Sequence, residues 1–194
     1  MEALFALKIS ALIFSIILIY NSLHSHDLNW ASGSHQQSVT SVKDINDPNS
    51  LWLIKEKHGA EPCETGTPII CNQEIKLEHV NTGKNLHSHE FDSMLSGAQE
   101  VSAFAGDDWN GDENDNMRIS CLNPDKDNIL RGKTLFHILH LPTKTYIFID
   151  KNKSMFNQYN CQNCPIHGQR EVSAVPYKSP EAIWKISGVS LLDK

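Results

Sequence analysis

The stretch QEVSAF, residues 99–104, has two related copies elsewhere in this chain. QREVSAV (169–175) matches it, with Glu171 opposite Glu100, Val172 opposite Val101, Ser173 opposite Ser102 and Ala174 opposite Ala103. QQSVTSV (36–42) matches it more loosely, with Val39 opposite Val101. Each copy is followed by an apolar tail: LWLIK (51–55), NMRIS (116–120) and IWKIS (183–187). Trp52 and Trp184 correspond, and Met117 stands where the second copy would have an aromatic. Self-similarity at a fixed period is the signature of a repeat architecture and outranks local propensity.

The segments ahead of the anchors match as well. IKLEHVNTGKNLHSHE (75–90) lies over FHILHLPTKTYIFID (136–150), so that His79 meets His140 and Leu86 meets Ile147. Each reads as strand, turn, strand, with apolar residues alternating in IKLEHV and turn residues in NTGK and LPTK. The anchor adds a third strand and the apolar tail a fourth. No helical period of useful length occurs after residue 22. Three units of four short strands predict an all-β protein of threefold design, centred near residues 23–54, 86–119 and 146–186. Val39, Val101 and Val172 are expected to be buried, with Trp52, Met117 and Trp184 near them.

The chain has 194 residues, a net charge of −6 and 40% hydrophobic content. That length suits one domain with a short leader. No long basic run occurs, which argues against nucleic acid as a partner. ALFALKISALIFSIILIY (3–20) has the apolar length of a secretory signal. Residues 1–22 are therefore read as a signal-peptide-like leader and residues 23–190 as the domain. A retained anchor and a strand of the domain itself are the other readings of this segment.

Five cysteines are present. Cys63 and Cys71 flank ETGTPII and are expected to form a disulfide closing a small loop. Cys161 and Cys164 form a C-x-x-C in NQYNCQNCPIHG, a loop by composition, and read as a structural pair or as free thiols, with a redox pair as the alternative. Cys121 has no evident mate.

The phrase LHSHD (23–27) returns as LHSHE (86–90), so His24 and His26, and likewise His87 and His89, share one side of an extended chain. Architecture explains them best, because the third copy has Phe148 and Asp150 at those places. A recognition surface and a zinc site are the alternatives. DDWNGDEND (107–115) departs from a calcium loop, since the sixth position counted from Asp108 is Glu113 rather than glycine. Asn152 opens a glycosylation sequon, Asn152-Lys153-Ser154. Trp30, Trp109 and Tyr177 are aromatics that could stack on a sugar ring. No nucleophile elbow, phosphate loop or H-E-x-x-H proposes a reaction, and nothing calls for a cofactor.

LHSHD…GSHQQSVT, TPIICNQEIKLEHVNTGKNLHSHE…SGAQEVSAF and GQREVSAV…IWKI together resemble MIR motifs, and most resemble the stromal cell-derived factor two-like proteins. The resemblance covers residues 23–187. It implies a β-trefoil, a six-stranded barrel capped by three hairpins. It further implies a non-enzymatic role in endoplasmic-reticulum protein quality control, with J-domain/Hsp70-type chaperones and unfolded polypeptide clients as partners. Glycan binding and regulation of protein O-mannosylation are the competing readings. Three departures stand out. The first copy has LIFSIILIYNS where the others have a strand and turn, so either the leader doubles as a strand or the first repeat is incomplete at its N-terminus; incompleteness is the expectation. The C-terminal VSLLDK is not a KDEL-like retention tetrapeptide, so the expected location is the reticulum lumen, held there by a retained partner, or outside the cell by secretion. Met117 replaces an aromatic.

Overall fold

A computed structural model of the chain describes residues 12–18, 21–64, 66–106, 110–152 and 155–191. The first repeat contributes β1 (Leu12–Leu18), β2 (Asn21–Asn29), β3 (Gln37–Val42) and β4 (Leu51–Glu56). The second contributes β5 (Glu74–His79), β6 (Asn85–Asp92), β7 (Gln99–Phe104) and β8 (Met117–Cys121). The third contributes β9 (Phe136–His140), β10 (Thr145–Phe148), a third strand split into β11 (Arg170–Glu171) and β12 (Ser173–Val175), and β13 (Lys185–Leu191).

Their pairing is threefold. Within repeats, β1 pairs β4, β5 pairs β8, and β9 touches the last strand region through the Phe136–Trp184 bridge. Between repeats, β4 pairs β5, β8 pairs β9 and β13 pairs β1. These six strands close a barrel, which removes the exposed edges an open sheet would present. The hairpins β2–β3, β6–β7 and β10–β12 cap it, and their inner strands pair in a ring through β3–β7, β7–β12 and β11–β3. The protein is an all-β trefoil.

The first repeat is not short of a strand. Residues 12–18, within the segment read as a leader, form β1, and Ile16 is buried in the core. The place where the sequence has no turn is thus filled by a strand, and this apolar strand supplies the partner that β13 requires. Among the described residues, no helix is long and apolar enough to cross a membrane.

Alternation along the barrel strands turns every second side chain inward. Trp52 and Ile54 on β4, Ile75 and Leu77 on β5, Met117 and Ile119 on β8, and Phe136 and Ile138 on β9 meet in one core. Val39, Val101 and Val172 are fully buried there with Trp52, Met117 and Trp184, as the repeat register predicts. The indole N–H of Trp52 donates to the Leu23 carbonyl at 3.0 Å, and that of Trp184 donates to the equivalent Ile147 carbonyl at 2.9 Å. A large apolar ring is thereby buried without orphaning its one donor.

A smaller core lies under the caps. Trp30, Phe156 and Ile166 are buried together, with Leu28, Met94, Leu95, Cys161 and Cys164 packed around them, so all three hairpin loops contribute. Buried carboxylates fasten the caps. Glu171 accepts from the backbone N–H of Leu95 at 2.7 Å and of Ser96 at 2.9 Å, tying the third repeat to the second repeat's loop. Glu100 does the same for the first repeat's loop through the N–H and hydroxyl of Ser34. Gly33 has a φ of +68°, and a Cβ there would lie 2.1 Å from the Glu100 carboxylate, so only glycine fits this approach.

The disulfides differ from the expected pattern. Cys71 pairs with Cys121, Cα to Cα 5.5 Å, and Cys63 is a free thiol. The Cys63–Cys71 expectation fails because tertiary contacts, not the intervening turn, place Cys71. Its N–H bonds to the Asn128 carbonyl and the N–H of Asn72 to the Ile119 carbonyl, which holds this segment beside the end of β8. Cys161 and Cys164 are bridged to each other.

Candidate functional site

The repeated histidine phrases fall on β2 and β6, at the junction of barrel and hairpin cap. Each faces a short 3-10 turn that precedes the last strand of its repeat. The two are Pro48–Ser50, begun by Asp47, and Glu113–Asp115, begun by Asp112; the third repeat has an equivalent turn at Pro180–Ala182, begun by Ser179. Asp47 and Asp112 cap their turns by accepting from Asn49 N–H and Asn114 N–H.

In the second repeat, His87 Nδ1 is 2.8 Å from Asp115 Oδ1 and 3.7 Å from Asp112 Oδ1. His87 and Asp115 are both buried. The other oxygen of Asp115 accepts from Asn85 Nδ2 and from Asp112 N–H, each at 3.0 Å. Gly111 has a φ of +73°, and a Cβ there would fall 1.7 Å from Asp115 Oδ2. The carboxylate thus sits in a socket made by neighbouring backbone. His89 stacks edge-on to His87 at 5.0 Å between ring centroids, and burial lowers the His89 pKa.

The first repeat carries a weaker version. His24 Nε2 lies 3.1 Å from His26 Nδ1, and His24 Nδ1 lies 3.5 Å from the Ser50 hydroxyl and 3.7 Å from Asp47. Burial holds His24 down to about 4, against the opposing pull of Asp47. Burial also lowers His26. The third repeat fills the equivalent place with Phe148 and Ala182, packed as an apolar cluster with Val175. One socket therefore accepts an ion-pair geometry, a His–His contact or a phenyl ring.

Two further histidines form a second repeated device. His79 lies between the Thr82 hydroxyl at 2.9 Å and the Asn49 carbonyl at 3.0 Å; His140 lies between Thr143 at 2.7 Å and the Asn114 carbonyl at 2.9 Å. Gln37 and Gln99 join these threonines to Ser25 and Ser88 in the same way. Burial lowers His79 and holds His140 at about 4.

Among the described residues, His87, Asp112 and Asp115 are the group whose ligand atoms lie close enough, within 4.8 Å, to hold a metal ion. Each of those atoms already has a hydrogen-bond partner, so the arrangement is complete as a structural network. Sequence reading picked out His24, His26, His87 and His89 but missed Asp47, Asp112 and Asp115. The usable signal was an aspartate five residues before each last-strand anchor at Trp52 and Met117.

Of the proposed aromatics, Trp30 is buried and its N–H donates to the Val101 carbonyl, so it supports the caps and offers no face to a ligand. Tyr177 is exposed. Trp109 lies outside the described residues. Asn152 is exposed on the loop after β10. The C-x-x-C pair sits on the same long loop, beside an open concavity of about 480 Å³ lined by Gln158, Tyr159, Gln162, Asn163 and His167.

Comparison with known proteins agrees with this architecture. The MIR domain profile matches residues 21–176. Human stromal cell-derived factor 2 is 45% identical over 165 residues, covering 84% of this chain and 71% of that protein. The crystal structure of the SDF2-like protein from Arabidopsis thaliana superposes with a TM-score of 0.85 at 28% identity, covering 97% of this chain and 98% of the other. The fold is also shared with the S. cerevisiae protein O-mannosyltransferase Pmt1-Pmt2 complex bound to the sugar donor, at TM-score 0.78 and 22% identity, covering 97% of this chain and 26% of that one. The threefold register, the closed barrel and these likenesses agree that this chain belongs to the stromal cell-derived factor 2 family of MIR-domain proteins.

Proposed function

We propose that this protein is a non-catalytic quality-control factor of the endoplasmic-reticulum lumen, which binds J-domain/Hsp70-type chaperone partners and unfolded clients. The observation that carries the reading is how the buried polar groups are spent. His79, His87, His140, Asp115 and Glu171 all bond within the fold, which leaves exposed loops as the working surface. Membership of the stromal cell-derived factor 2 family supports the chaperone setting. Two disulfides fit an oxidising compartment. Exposed Asn152 would carry a glycan there.

Among the described residues, the exposed large apolar side chains are scattered: Ile45, Ile70, Leu135, Met155, Tyr159 and Tyr177 lie between the strands, and Phe91 lies near the end of β6. Such a distribution suits weak contacts with a large chaperone partner better than one deep small-molecule cleft. The test is a mild pull-down of the full chain from secretory-pathway lumen, together with an assay of client aggregation. Recovery of J-domain and Hsp70-type chaperones with slower aggregation is expected. Recovery of neither chaperone, with aggregation unchanged, overturns the proposal.

A further inference from the structure

The long loop of the third repeat is chemically unlike the rest of the surface. The chain is 21% charged, yet residues 155–169 contain no Asp, Glu, Lys or Arg. The segment is not hidden: Gln158, Tyr159, Gln162, Asn163 and His167 are all exposed, with Tyr159 at 88%. These five line the open concavity of about 480 Å³.

The loop is held from beneath. Phe156 and Ile166 are buried on Trp30, and the Cys161–Cys164 bridge closes the segment between them. Asn157 Oδ1 accepts from Tyr159 N–H at 2.8 Å, Asn160 Oδ1 accepts from Asn157 N–H at 2.8 Å, and Asn160 Nδ2 donates to the Met155 carbonyl at 3.0 Å. Asn157 and Asn160 therefore spend their amides on the loop itself. The Gln158, Gln162 and Asn163 side chains make no hydrogen bond to any described residue. His167 Nε2 donates to the Cys161 carbonyl, which leaves Nδ1 without a bond to any described residue. A preorganised floor under unspent neutral donors and acceptors is what a polar ligand site requires, since little ordering remains to be done on binding.

We propose that this concavity binds a neutral glycan. Tyr159 supplies the flat apolar face on which the C–H side of a sugar ring stacks. The amides of Gln158, Gln162 and Asn163, each able to donate and accept, match hydroxyls that do both. The absence of fixed charge disfavours phosphates, nucleotides and ionic peptides. The lining has no apolar pocket and no unpaired strand, the two features by which extended peptides are usually held. This inference goes beyond the chaperone reading and does not depend on it.

The test uses the full oxidised chain with mannotriose, maltotriose and chitotriose, observed by saturation-transfer NMR and titration calorimetry. Binding of at least one is expected. Tyr159→Ala should weaken it by about tenfold, the loss of one stacking contact, and Tyr159→Trp should retain it. Both substitutions lie on an exposed side chain, so an unchanged melting temperature shows that the fold is intact. Cys161→Ser with Cys164→Ser should weaken binding by releasing the floor. No transfer to any of the three sugars, or binding equal in wild type and Tyr159→Ala, overturns the proposal. So does an unfolded peptide that binds this loop while the sugars do not. A chaperone pull-down with Tyr159→Ala separates the two proposals: partners retained while sugar is lost assigns the loop to glycan alone.

Discussion

His87 Nδ1 lies 2.8 Å from Oδ1 of Asp115, a carboxylate with no solvent exposure. The threefold equivalents of this pair are His24 with Ser50 and Phe148 with Ala182, so the same socket is filled by three chemistries. Burying a carboxylate is tolerable only when its lone pairs are used, and here His87, Asn85 and the Asp112 backbone use them.

Removing one member of this set should cost more than replacing both. Asp115→Ala would leave His87 Nδ1 and Asn85 Nδ2 buried without partners, at about 3 kcal/mol. The double variant His87→Phe with Asp115→Ala copies the third repeat and should recover much of that loss. Urea unfolding of the singles and the double is the measurement. A double variant no more stable than Asp115→Ala alone would show that the three sockets are not interchangeable.

The Cys71–Cys121 bridge should be the principal covalent staple. It joins residues 50 apart in sequence. Chain-entropy arguments give about 4 kcal/mol for a loop of that size. Non-reducing peptide mapping should recover the Cys71–Cys121 linkage and leave Cys63 as the alkylatable thiol. Burial and Glu56 raise the Cys63 pKa, so its alkylation at neutral pH should be slower than that of a free cysteine. Cys63→Ser should leave stability near wild type.

Acid should loosen the hairpin bases before general denaturation. Burial lowers His24 and His140 from 6.5 to about 4, so the unfolded chain binds more protons than the fold between those values. The stability these neutral rings contribute is complete above pH 6.5 and drains away as pH falls toward 4. The loss is about 3 kcal/mol for each ring at most. His79, His26 and His89 shift in the same direction. Glu100, raised by burial, has the opposite sign and offsets part of the loss. Melting temperature against pH from 7.5 to 4 tests this; a flat profile would contradict it. His140→Gln should shallow the slope.

Glu171 should behave as a latch between repeats. Its carboxylate receives the N–H groups of Leu95 and Ser96. Glu171→Ala should cost about 3 kcal/mol, with Glu171→Gln intermediate because one amide oxygen still accepts. Hydrogen exchange at Leu95 and Ser96 should rise in Glu171→Ala. Unchanged exchange there would remove the latch assignment.

Much of the fold was legible in the chain because symmetry writes it three times. The matching anchors around Val39, Val101 and Val172 predict their burial, and strand alternation predicts the inward faces of β4, β5, β8 and β9. The histidines of LHSHD and LHSHE were visible for the same reason.

What the sequence could not reveal depends on contacts between distant segments. Nothing local shows that Asp115 would turn onto His87, because the two meet only when the short turn before β8 folds back on β6. Spacing favoured Cys63 as the mate of Cys71, but the bonds to Asn128 and Ile119 place Cys71 beside Cys121 instead. The apolar leader and the first barrel strand look alike as composition. Only the demand of β13 for a partner makes residues 12–18 a strand, since a barrel bonds its backbone fully only when its last strand meets its first. By itself, then, the sequence determined the repeat, the strand period and the buried positions, which are local and periodic. Tertiary structure decided the pairings, because a hydrogen bond or a disulfide forms between whichever groups closure brings together.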